Sequence, residues 1–308
     1  MWKLNLNVLN VDTNIKMATV ISTFAGCGGS SLGYKLAGYE ELLAIDFDKH
    51  AVESFKLNFP DVPAWEKDLT KVSPEEILNF CNLKPGELDV LDGSPPCQGF
   101  SSAGKRDVND PRNTLFESFV NLIKGLRPKV FIMENVPGMV RGKMKGHYIE
   151  IMKSLKNTGY NVKSAIMDAS FYDVPQGRKR LIFIGVNPKL KEPSFPKPNK
   201  RRMALIDVPE LRHIKSLNSG QYKRIWSNVK KPAPTITKTR SLYILDREGK
   251  QRYPTIEEVK LMCSFPKDFQ LTGSESKQWA RLGNAVMPNF MYHISKHVRE
   301  VILNDKEN

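Results

Sequence analysis

The sequence is poor in cysteine and has no long apolar run. Its 308 residues include four cysteines, far apart and without a CxxC pair, so reduced thiols are expected rather than a disulfide framework or a zinc site. No apolar stretch approaches the roughly 20 residues that a membrane helix needs, and the N-terminal residues lack the apolar core of a signal peptide. We therefore predict a cytoplasmic protein with no metal site and no membrane partner.

Acidic residues are also in short supply. Asp and Glu total 33 against 47 Lys and Arg, a formal net charge of +14. Residues 187–240 hold 14 of the basic residues and 3 acidic ones, a local excess of +11. A solvated, proline-rich surface insertion would share part of this composition. The density of cations favours instead a surface that binds the phosphates of a nucleic acid.

Hydrophobic residues still make up 40% of the chain, enough for a sizeable core and too many for a disordered protein. Residues 1–186 alternate short β-rich runs with amphipathic stretches, which predicts a doubly wound, mostly parallel α/β sheet. The predicted strands are Thr19–Phe24, Leu42–Asp46, Leu88–Asp92, Lys129–Glu134, Val162–Asp168 and Arg180–Val186. The predicted helices are Ser30–Ala37, Lys49–Asn58, Pro74–Phe80, Thr114–Leu126, Tyr148–Lys156, Thr255–Ser264 and Asn289–Leu303. We expect one discontinuous domain (residues 1–186 and 255–308) and a smaller, irregular one (187–254).

A glycine-rich turn follows the first predicted strand and opens the first helix. It runs from Phe24 through Gly26, Gly28 and Gly29 to Ser31. Such a turn lets a ligand approach the backbone and lie on the helix N-terminus. Ser31 stands where a dinucleotide fingerprint has its third glycine, and no lysine follows as in a P-loop. A cofactor with a carboxylate and an amine, such as S-adenosylmethionine, therefore fits this turn better than a pyrophosphate.

Two carboxylates follow the turn at positions suited to an adenosine. Asp46 lies 20 residues after Gly26 and ends the second predicted strand, where a carboxylate can hold the ribose hydroxyls. Asp68 ends the next short stretch and can accept a hydrogen bond from an adenine amino group. Together with the turn, they predict an adenosine-bearing cofactor.

Cys97 is the best candidate for a nucleophile. Pro95 and Pro96 stiffen the turn that presents its thiol, after a strand whose carboxyl edge is a ligand-binding position in open α/β folds. Residues 99–112 are rich in Gly, Ser and charged residues, which predicts a loop able to close over a substrate. Cys27, Cys81 and Cys263 lie in ordinary turn or helix patterns, and we do not expect them to act as nucleophiles.

Potential partners of the thiol end two further strands. Glu134 is either a helix cap or a general acid. In a strand, Gln176, Arg178 and Arg180 would point to one face, where two guanidinium groups suit a carboxylate, a phosphate or a base carbonyl. Taken with the cofactor turn, these residues would line one sheet edge.

These motifs, in this order, resemble those of the bacterial-type DNA (cytosine-5) methyltransferases, from about Val20 to Val301. The resemblance covers Phe24–Gly29, Pro95–Gln98, Glu134–Val136, Gln176–Arg180, Arg252–Glu258 and Gly283–Pro288. It implies a Rossmann-like S-adenosylmethionine-dependent sheet and a smaller target-recognition domain. The segment Arg252–Glu258 is a looser match, and the recognition region is short for the family.

The resemblance also implies roles for individual residues. Cys97 would add to C6 of a cytosine flipped from double-stranded DNA, Glu134 would assist at N3, and Arg180 and Arg178 would orient the base. The implied cofactor contacts are Phe24, Gly26, Gly28, Gly29, Asp46, Asp68, Pro95, Leu115, Asn284, Ala285 and Val286. The implied substrate contacts are Gln98, Ser101, Gln176, Lys238 and Arg240. A monomeric modification enzyme, with a separate cognate endonuclease, is the expected setting.

Three alternatives use the same scaffold. RNA methylation is disfavoured because the Cys-Phe-Thr signature of that branch is missing. A nicotinamide oxidoreductase would leave Cys97 and the segment Gln176–Arg180 without a role. A non-catalytic DNA-binding protein is opposed by the presence of Cys97, Glu134 and Arg180, and methyl transfer would distinguish it from the enzyme.

Overall fold

A computed structural model describes residues 17–96, 111–140, 145–218 and 226–304. The strands of its larger sheet are β1 (Ala18–Thr23), β2 (Tyr39–Asp46), β3 (Ala64–Glu66), β4 (Val90–Gly93), β5 (Val130–Asn135), β6 (Asn161–Asp168) and β7 (Lys179–Val186). The α-helices are α1 (Gly29–Leu36), α2 (Lys49–Asn58), α3 (Pro74–Cys81), α4 (Pro111–Leu126), α5 (Lys145–Lys156), α6 (Ile256–Met262), α7 (Glu275–Asn284) and α8 (Pro288–His297). No helix within the described ranges is long and apolar enough to cross a bilayer.

The large sheet has seven strands in the order β3-β2-β1-β4-β5-β7-β6. The first five are mutually parallel, whereas β7 is antiparallel to both of its neighbours. The predicted α/β class with a mostly parallel sheet is therefore confirmed. Strand order reverses between β1 and β4, which is where open α/β sheets leave a crevice for ligands at the carboxyl ends of the strands.

Both faces of this sheet are covered by helices. Successive residues of a strand point to opposite faces, and β5 shows the result. Val130 and Ile132 belong to one hydrophobic cluster, and Phe131 and Met133 to the other. The sheet thus lies between two apolar layers, and its polar groups are left at the strand ends.

Side-chain caps fix where several helices begin. The Asp48 carboxylate accepts from the first backbone amides of α2, and the Ser73 hydroxyl caps α3. Thr255 and Glu258 form a capping box at the start of α6. Each cap satisfies amide groups that have no partner within the helix.

The region between β7 and α6 contains a second, small sheet. Its strands are β8 (Ile214–Asn218), β9 (Ser227–Asn228), β10 (Tyr243–Asp246) and β11 (Gln251–Arg252), in the antiparallel order β11-β10-β8-β9. The guanidinium of Arg252 donates to both carboxylate oxygens of Glu258, at 2.7 and 2.8 Å. This bidentate pair joins the small sheet to α6.

The C-terminal helices return to the first glycine turn. A Cβ atom on Gly33 would lie 2.7 Å from the carbonyl oxygen of Pro288, and one on Gly29 would lie 2.2 Å from that of Val286. Only glycine permits such close contact. Residues 284–286 are therefore held beside the turn that precedes α1.

Candidate active site at the carboxyl edge of the sheet

The glycine turn is tied to the end of β2. Asp46 Oδ2 accepts from the backbone amide of Gly26 at 2.8 Å, and Oδ1 accepts from that of Asp48 at the same distance. Burial raises the pKa of the Asp46 carboxyl, and these amide hydrogen bonds oppose the rise. Phe24 adopts a φ of 55°, a left-handed conformation that is unusual for an aromatic residue and common at functional turns.

A cavity of about 330 Å³ opens between the ends of β1, β2 and β3. It is lined by Phe24, Ile45, Asp46, Phe47, Lys67, Asp68, Leu69, Thr70 and Leu115. Four residues predicted to bind the cofactor (Phe24, Asp46, Asp68 and Leu115) therefore line one space. Phe47 also lines the cavity, although it was not predicted as a cofactor contact, and 73% of its surface is exposed. Its signal in the sequence is an aromatic residue directly after the strand-ending Asp46.

Asp68, which also lines this cavity, is held by Thr70. Its Oδ1 accepts from the amide and the hydroxyl of Thr70, at 3.0 and 2.9 Å, which lowers the pKa of the Asp68 carboxyl. The side chain is thus a fixed, ionised acceptor at neutral pH. Asp46 and Asp68 place acceptors for a ribose and for an amino group on the wall of one cavity.

Glu134 and Arg180 form an ion pair at the same edge of the sheet. Arg180 Nε lies 2.5 Å from Glu134 Oε1, and the two side chains are 13% and 12% exposed. They lie on the antiparallel neighbours β5 and β7, where Glu134 is in register with Ile182. Such low exposure strengthens the attraction relative to a surface pair. The pair brings together two of the residues predicted to be catalytic.

The chain that leaves β4 passes beside Glu134. Asn135 Nδ2 donates to the carbonyl oxygen of Pro95 at 3.0 Å in a buried contact, and β4 and β5 are paired up to Gly93 and Met133. Cys97, Gln98 and Ser101 lie outside the described residues. Pro95 is buried and tethered at this point, so the chain leading to Cys97 starts next to the ion pair.

Gln176 is placed differently from its prediction as a substrate contact. It is fully buried; its Oε1 accepts from the amide of Ile236 at 3.0 Å and its Nε2 donates to the carbonyl of Met262 at 3.3 Å. β7 begins only at Lys179, so the alternation of a strand does not extend back to this residue. Gln176 holds the backbone at Ile236 and α6 together.

Arg178 likewise points into the interior. Its guanidinium donates to the backbone carbonyls of Ile236, Gly283 and Ala285 at 2.9, 3.0 and 3.1 Å, and the residue is 3% exposed. Burial lowers its pKa to about 10, so it stays charged at neutral pH. The expectation that Arg178 orients a base therefore gives way to a structural role, since three carbonyls use its guanidinium.

The predicted base contacts Lys238 and Arg240 differ in their surroundings. Lys238 is exposed. Arg240 donates to Glu275 at 2.8 Å and stacks over the ring of Tyr253, 4.4 Å from its centroid. Arg240 is therefore engaged within the protein, and Lys238 is the better placed of the two to meet a ligand.

The backbone before Lys238 is held firmly by α7. Trp279 Nε1 donates to the carbonyl of Thr237 at 3.0 Å. A Cβ atom on Gly283 would lie 2.3 Å from the same oxygen, so a larger residue there would displace the segment. Of the predicted cofactor contacts that follow Gly283, Asn284 is exposed, Ala285 is half-buried and Val286 is buried.

Comparisons with known proteins agree with this geometry. A family model described as C-5 cytosine-specific DNA methylase matches residues 18–242. The chain belongs to this family. It is a DNA (cytosine-5) methyltransferase.

Several curated relatives share most of its length. The type II methyltransferase M1.HphI of Haemophilus parahaemolyticus is 31% identical over 93% of this chain and 88% of its own. The type II methyltransferase M.HindV of Haemophilus influenzae is 34% identical over 92% of this chain and 96% of its own.

Solved structures show the same fold. A protein described as a DNA modification methyltransferase encoded within an E. coli prophage superposes with a TM-score of 0.70. It is 23% identical and covers 92% of this chain and 98% of its own. The Dnmt2 methyltransferase of S. pombe gives a TM-score of 0.66 at 18% identity, over 92% of this chain and 98% of its own. The methyltransferase fold therefore spans nearly the whole chain.

Proposed function

We propose that the methyltransferase transfers a methyl group from S-adenosylmethionine to C5 of a flipped cytosine within a short, specific double-stranded DNA sequence, through a covalent bond between Cys97 and C6. One observation carries the proposal. The Glu134–Arg180 pair lies at the sheet edge that also holds the Asp46 cavity, and Pro95, two residues before Cys97, is hydrogen-bonded to the neighbour of Glu134. This supports a nucleophile, an acid and a cofactor site that would all be within reach of one substrate base.

The described residues fit the adenosine end of this cofactor. Asp46 and Asp68 supply acceptors in the lining of the cavity, and Phe24, Phe47 and Leu115 supply apolar surface. The backbone amides at the start of α1 would receive the cofactor carboxylate. When bound, the cofactor supplies an electrophilic methyl group.

The chain's own residues account for the remaining chemistry. When the base enters, Glu134 takes up a proton from solvent. The Cys97 thiolate adds to C6 of the cytosine, and electron density moves to N3, which takes that proton from Glu134. The enamine so formed is nucleophilic at C5 and accepts the methyl group. Loss of the C5 proton to a base then expels Cys97, and N3 returns its proton to Glu134, so that the aromatic ring is restored and methylcytosine leaves with the enzyme unchanged.

Arg180 would hold Glu134 and the base in one plane. Its Nε is committed to Glu134, and a guanidinium has further donors on the same fork, which suit the O2 carbonyl of cytosine. Because stacking hides C6 in a duplex, the base must first be extruded, at a cost of about a few kcal/mol. Residues 99–112 would close behind it.

The domain division follows the two sheets. Residues 1–186 and 255–308 would form the catalytic domain, and residues 187–254 the target-recognition domain that reads bases in the major groove. Contacts of Gln176 and Arg178 with Ile236 fix the second to the first. The segment that follows Ile236 would thus be presented to DNA at a set distance from the reacting base.

The relatives named as type II methyltransferases suggest the biological setting. We propose that this chain is the monomeric modification enzyme of a restriction–modification system, acting apart from a cognate endonuclease. Methylation of the recognition sequence would protect host DNA from that nuclease.

The reaction is tested by incubating the protein with unmethylated plasmid DNA and S-adenosylmethionine, followed by bisulfite sequencing. The Cys97→Ser variant serves as the control. Methylation at one short recurring sequence, absent with the variant, is the expected result. Cofactor binding without any DNA methylation would contradict the proposal and make RNA the next substrate to examine.

Replacing Asp46 by asparagine is expected to weaken cofactor binding about tenfold to a hundredfold, the usual effect of losing a charged hydrogen-bond acceptor. The amide keeps the shape of the side chain but has one acceptor oxygen instead of two. Calorimetric titration with S-adenosylmethionine measures the change. Asp61→Asn, at an exposed position before β3, is the matched control. Equal affinities of the Asp46 variant and the wild type for S-adenosylmethionine would show that Asp46 does not bind the cofactor.

Replacing Lys238 by alanine is expected to relax sequence discrimination. A lost base contact costs about 1–3 kcal/mol at the base it reads, so kcat/KM for the cognate duplex should fall roughly tenfold or more while a duplex altered at that base is little affected. The measurement compares duplexes substituted at one position at a time. Lys250→Ala, at another exposed lysine within residues 187–254, is the control. A uniform loss over all duplexes would show that Lys238 binds a phosphate instead.

A further inference from the structure

A buried carboxyl lies on the strand that leads to the nucleophile. Asp92 is the third residue of β4, five residues before Cys97, and is 3% exposed. β4 is paired on both sides, with β1 and with β5, so this position would ordinarily favour an apolar side chain. A carboxyl here requires partners or a specific role.

The partners of Asp92 both come from α1. The Tyr34 hydroxyl donates to Asp92 Oδ1 at 3.2 Å, and the Ser30 hydroxyl is also hydrogen-bonded to the carboxyl. Ser30 directly follows Gly29, the last glycine of the cofactor turn. Asp92 therefore connects the helix that follows the cofactor turn with the strand that precedes Cys97 in the sequence.

A second carboxyl is held in the same way by the next residue of the helix. The Ser31 hydroxyl donates to Glu41 Oε1 at 2.9 Å. Within the part of the chain that the structure describes, neither Asp92 nor Glu41 has a cationic partner. Two adjacent serines of α1 thus each bind a carboxyl of the sheet without a compensating charge.

The surroundings of Asp92 oppose its ionisation. The titratable groups that face it are Tyr34 from α1, Glu41 from β2 and Glu134 from β5. Burial, with smaller contributions from the charges of Glu41 and Glu134, raises the pKa of Asp92 to about 8. Burial raises the pKa of Glu41 to about 7 and keeps Tyr34 neutral by raising its pKa well above the usual value.

We propose that Asp92 is a positioning residue that holds Ser30 and Tyr34 of α1 against β4, so that the cofactor turn and the segment leading to Cys97 keep one relative placement. The proposal rests on the proposed function, since it assumes that the turn binds S-adenosylmethionine. The carboxyl can accept from both hydroxyls in either protonation state. Its ionised form, however, is a buried charge with no cationic partner among the described residues, and the neighbouring carboxylates repel it, so ionisation opposes this packed arrangement.

The proposal predicts that cofactor binding weakens as the pH rises. The competent neutral form prevails below about pH 8 and is lost above it. Because apparent affinity scales with the competent fraction, the Kd should rise about tenfold between pH 7 and pH 9. Global stability should shift in the same sense, since the unfolded chain releases this proton at a much lower pH.

The experiment measures the Kd of S-adenosylhomocysteine by calorimetry at pH 7 and pH 9, for the wild type and for Asp92→Asn. Asparagine keeps the shape and both hydrogen-bonding functions but cannot ionise. We expect Asp92→Asn to bind within about threefold of the wild type at pH 7 and to lack most of the tenfold weakening at pH 9. The ligand's own amine titrates equally with both proteins, so the ratio of their Kd values isolates the protein group.

Matched variants keep the test decisive. Asp89→Asn, at the other end of the β4 region where the carboxyl pairs with Lys129, should follow the wild-type profile. If Asp92→Asn does not fold, Tyr34→Phe and Ser30→Ala remove the partners one at a time, and each should weaken binding at pH 7 by about three- to tenfold, the usual effect of one lost hydrogen bond.

The outcomes separate this inference from the proposed function. If the wild type binds the ligand and methylates DNA but Asp92→Asn shows the same pH profile, only the role of Asp92 is overturned. Unchanged binding by Tyr34→Phe and Ser30→Ala would overturn it too. If the wild type binds no ligand at either pH, both the inference and the cofactor assignment are wrong.

Discussion

Replacing Cys97 by serine is expected to abolish methyl transfer, with a rate loss on the order of 10⁴-fold or more, as for other covalent nucleophiles. A thiolate adds to C6, whereas a serine hydroxyl remains protonated and is a weak nucleophile at neutral pH. Cofactor affinity should be unchanged, because the cavity around Asp46 is formed by other residues. A single-turnover assay with labelled S-adenosylmethionine and duplex DNA measures the loss.

The other cysteines supply the control. Burial raises the pKa of Cys81 to about 11, that of Cys263 to about 11 and that of Cys27 to about 12, so none of them is a thiolate near neutral pH. Cys81→Ser, on helix α3, should therefore retain full activity. Retained activity in Cys97→Ser, or an equal loss in Cys81→Ser, would contradict the assignment.

A substituted base can trap the bond itself. In a duplex whose target cytosine carries fluorine at C5, no proton can be lost after methylation, so Cys97 should remain attached to C6. A covalent protein–DNA complex is expected on a denaturing gel with the wild type and with Cys81→Ser. Its formation by Cys97→Ser would place the nucleophile elsewhere.

The parts of the site that could be predicted from the sequence depend on local order along the chain. Asp46 and Glu134 end or nearly end their strands, and parallel strands bring such ends to one edge of a sheet. The predicted boundaries of α2 agree with the structure because Asp48 is a strong N-cap and Phe59 follows the last turn. For these strand ends and this helix, capping residues and apolar runs in the local sequence were sufficient for the prediction.

Long-range contacts decided the residues that were placed differently. Arg178 looks like a partner of Arg180 when strand alternation is assumed, but it lies before β7 and is buried by carbonyls about 60 to 110 positions later in the sequence. Arg240 is paired with Glu275, which a count of charges along the chain cannot reveal. Side-chain partners of this kind have no local signature.

Short and polar elements also escaped prediction. β3 has three residues, and β9 and β11 have two each, too few for a periodicity to be seen. Helix α7 contains three charged residues and a glycine near its end, although Trp279 and Leu282 are buried. Its place is set by packing of Trp279 and Gly283 against the backbone of Thr237, not by helix propensity.

Replacing Glu134 by glutamine is expected to lower the methylation rate by about 10²–10⁴-fold, the usual contribution of a general acid. The amide oxygen of glutamine can still accept from Arg180 Nε, so the side chain should keep its place between β5 and β7. What is lost is the proton that Glu134 gives to N3 as Cys97 adds to C6. Cofactor affinity and thermal unfolding should match those of the wild type, and single-turnover kinetics should show the whole loss in the chemical step.

Arg180→Lys distinguishes proton transfer from orientation. Lysine keeps the positive charge beside Glu134. It lacks the planar guanidinium, whose several N–H groups can donate to the carboxylate and to the base at the same time. The methylation rate should fall less in Arg180→Lys than in Glu134→Gln, and part of the effect should appear as weaker DNA binding. The double variant should be little worse than Glu134→Gln alone, because residues that act as a unit are not additive. Additive losses would mean that Arg180 acts on the base independently of Glu134, and a Glu134→Gln variant within twofold of the wild type would assign the proton at N3 to another group.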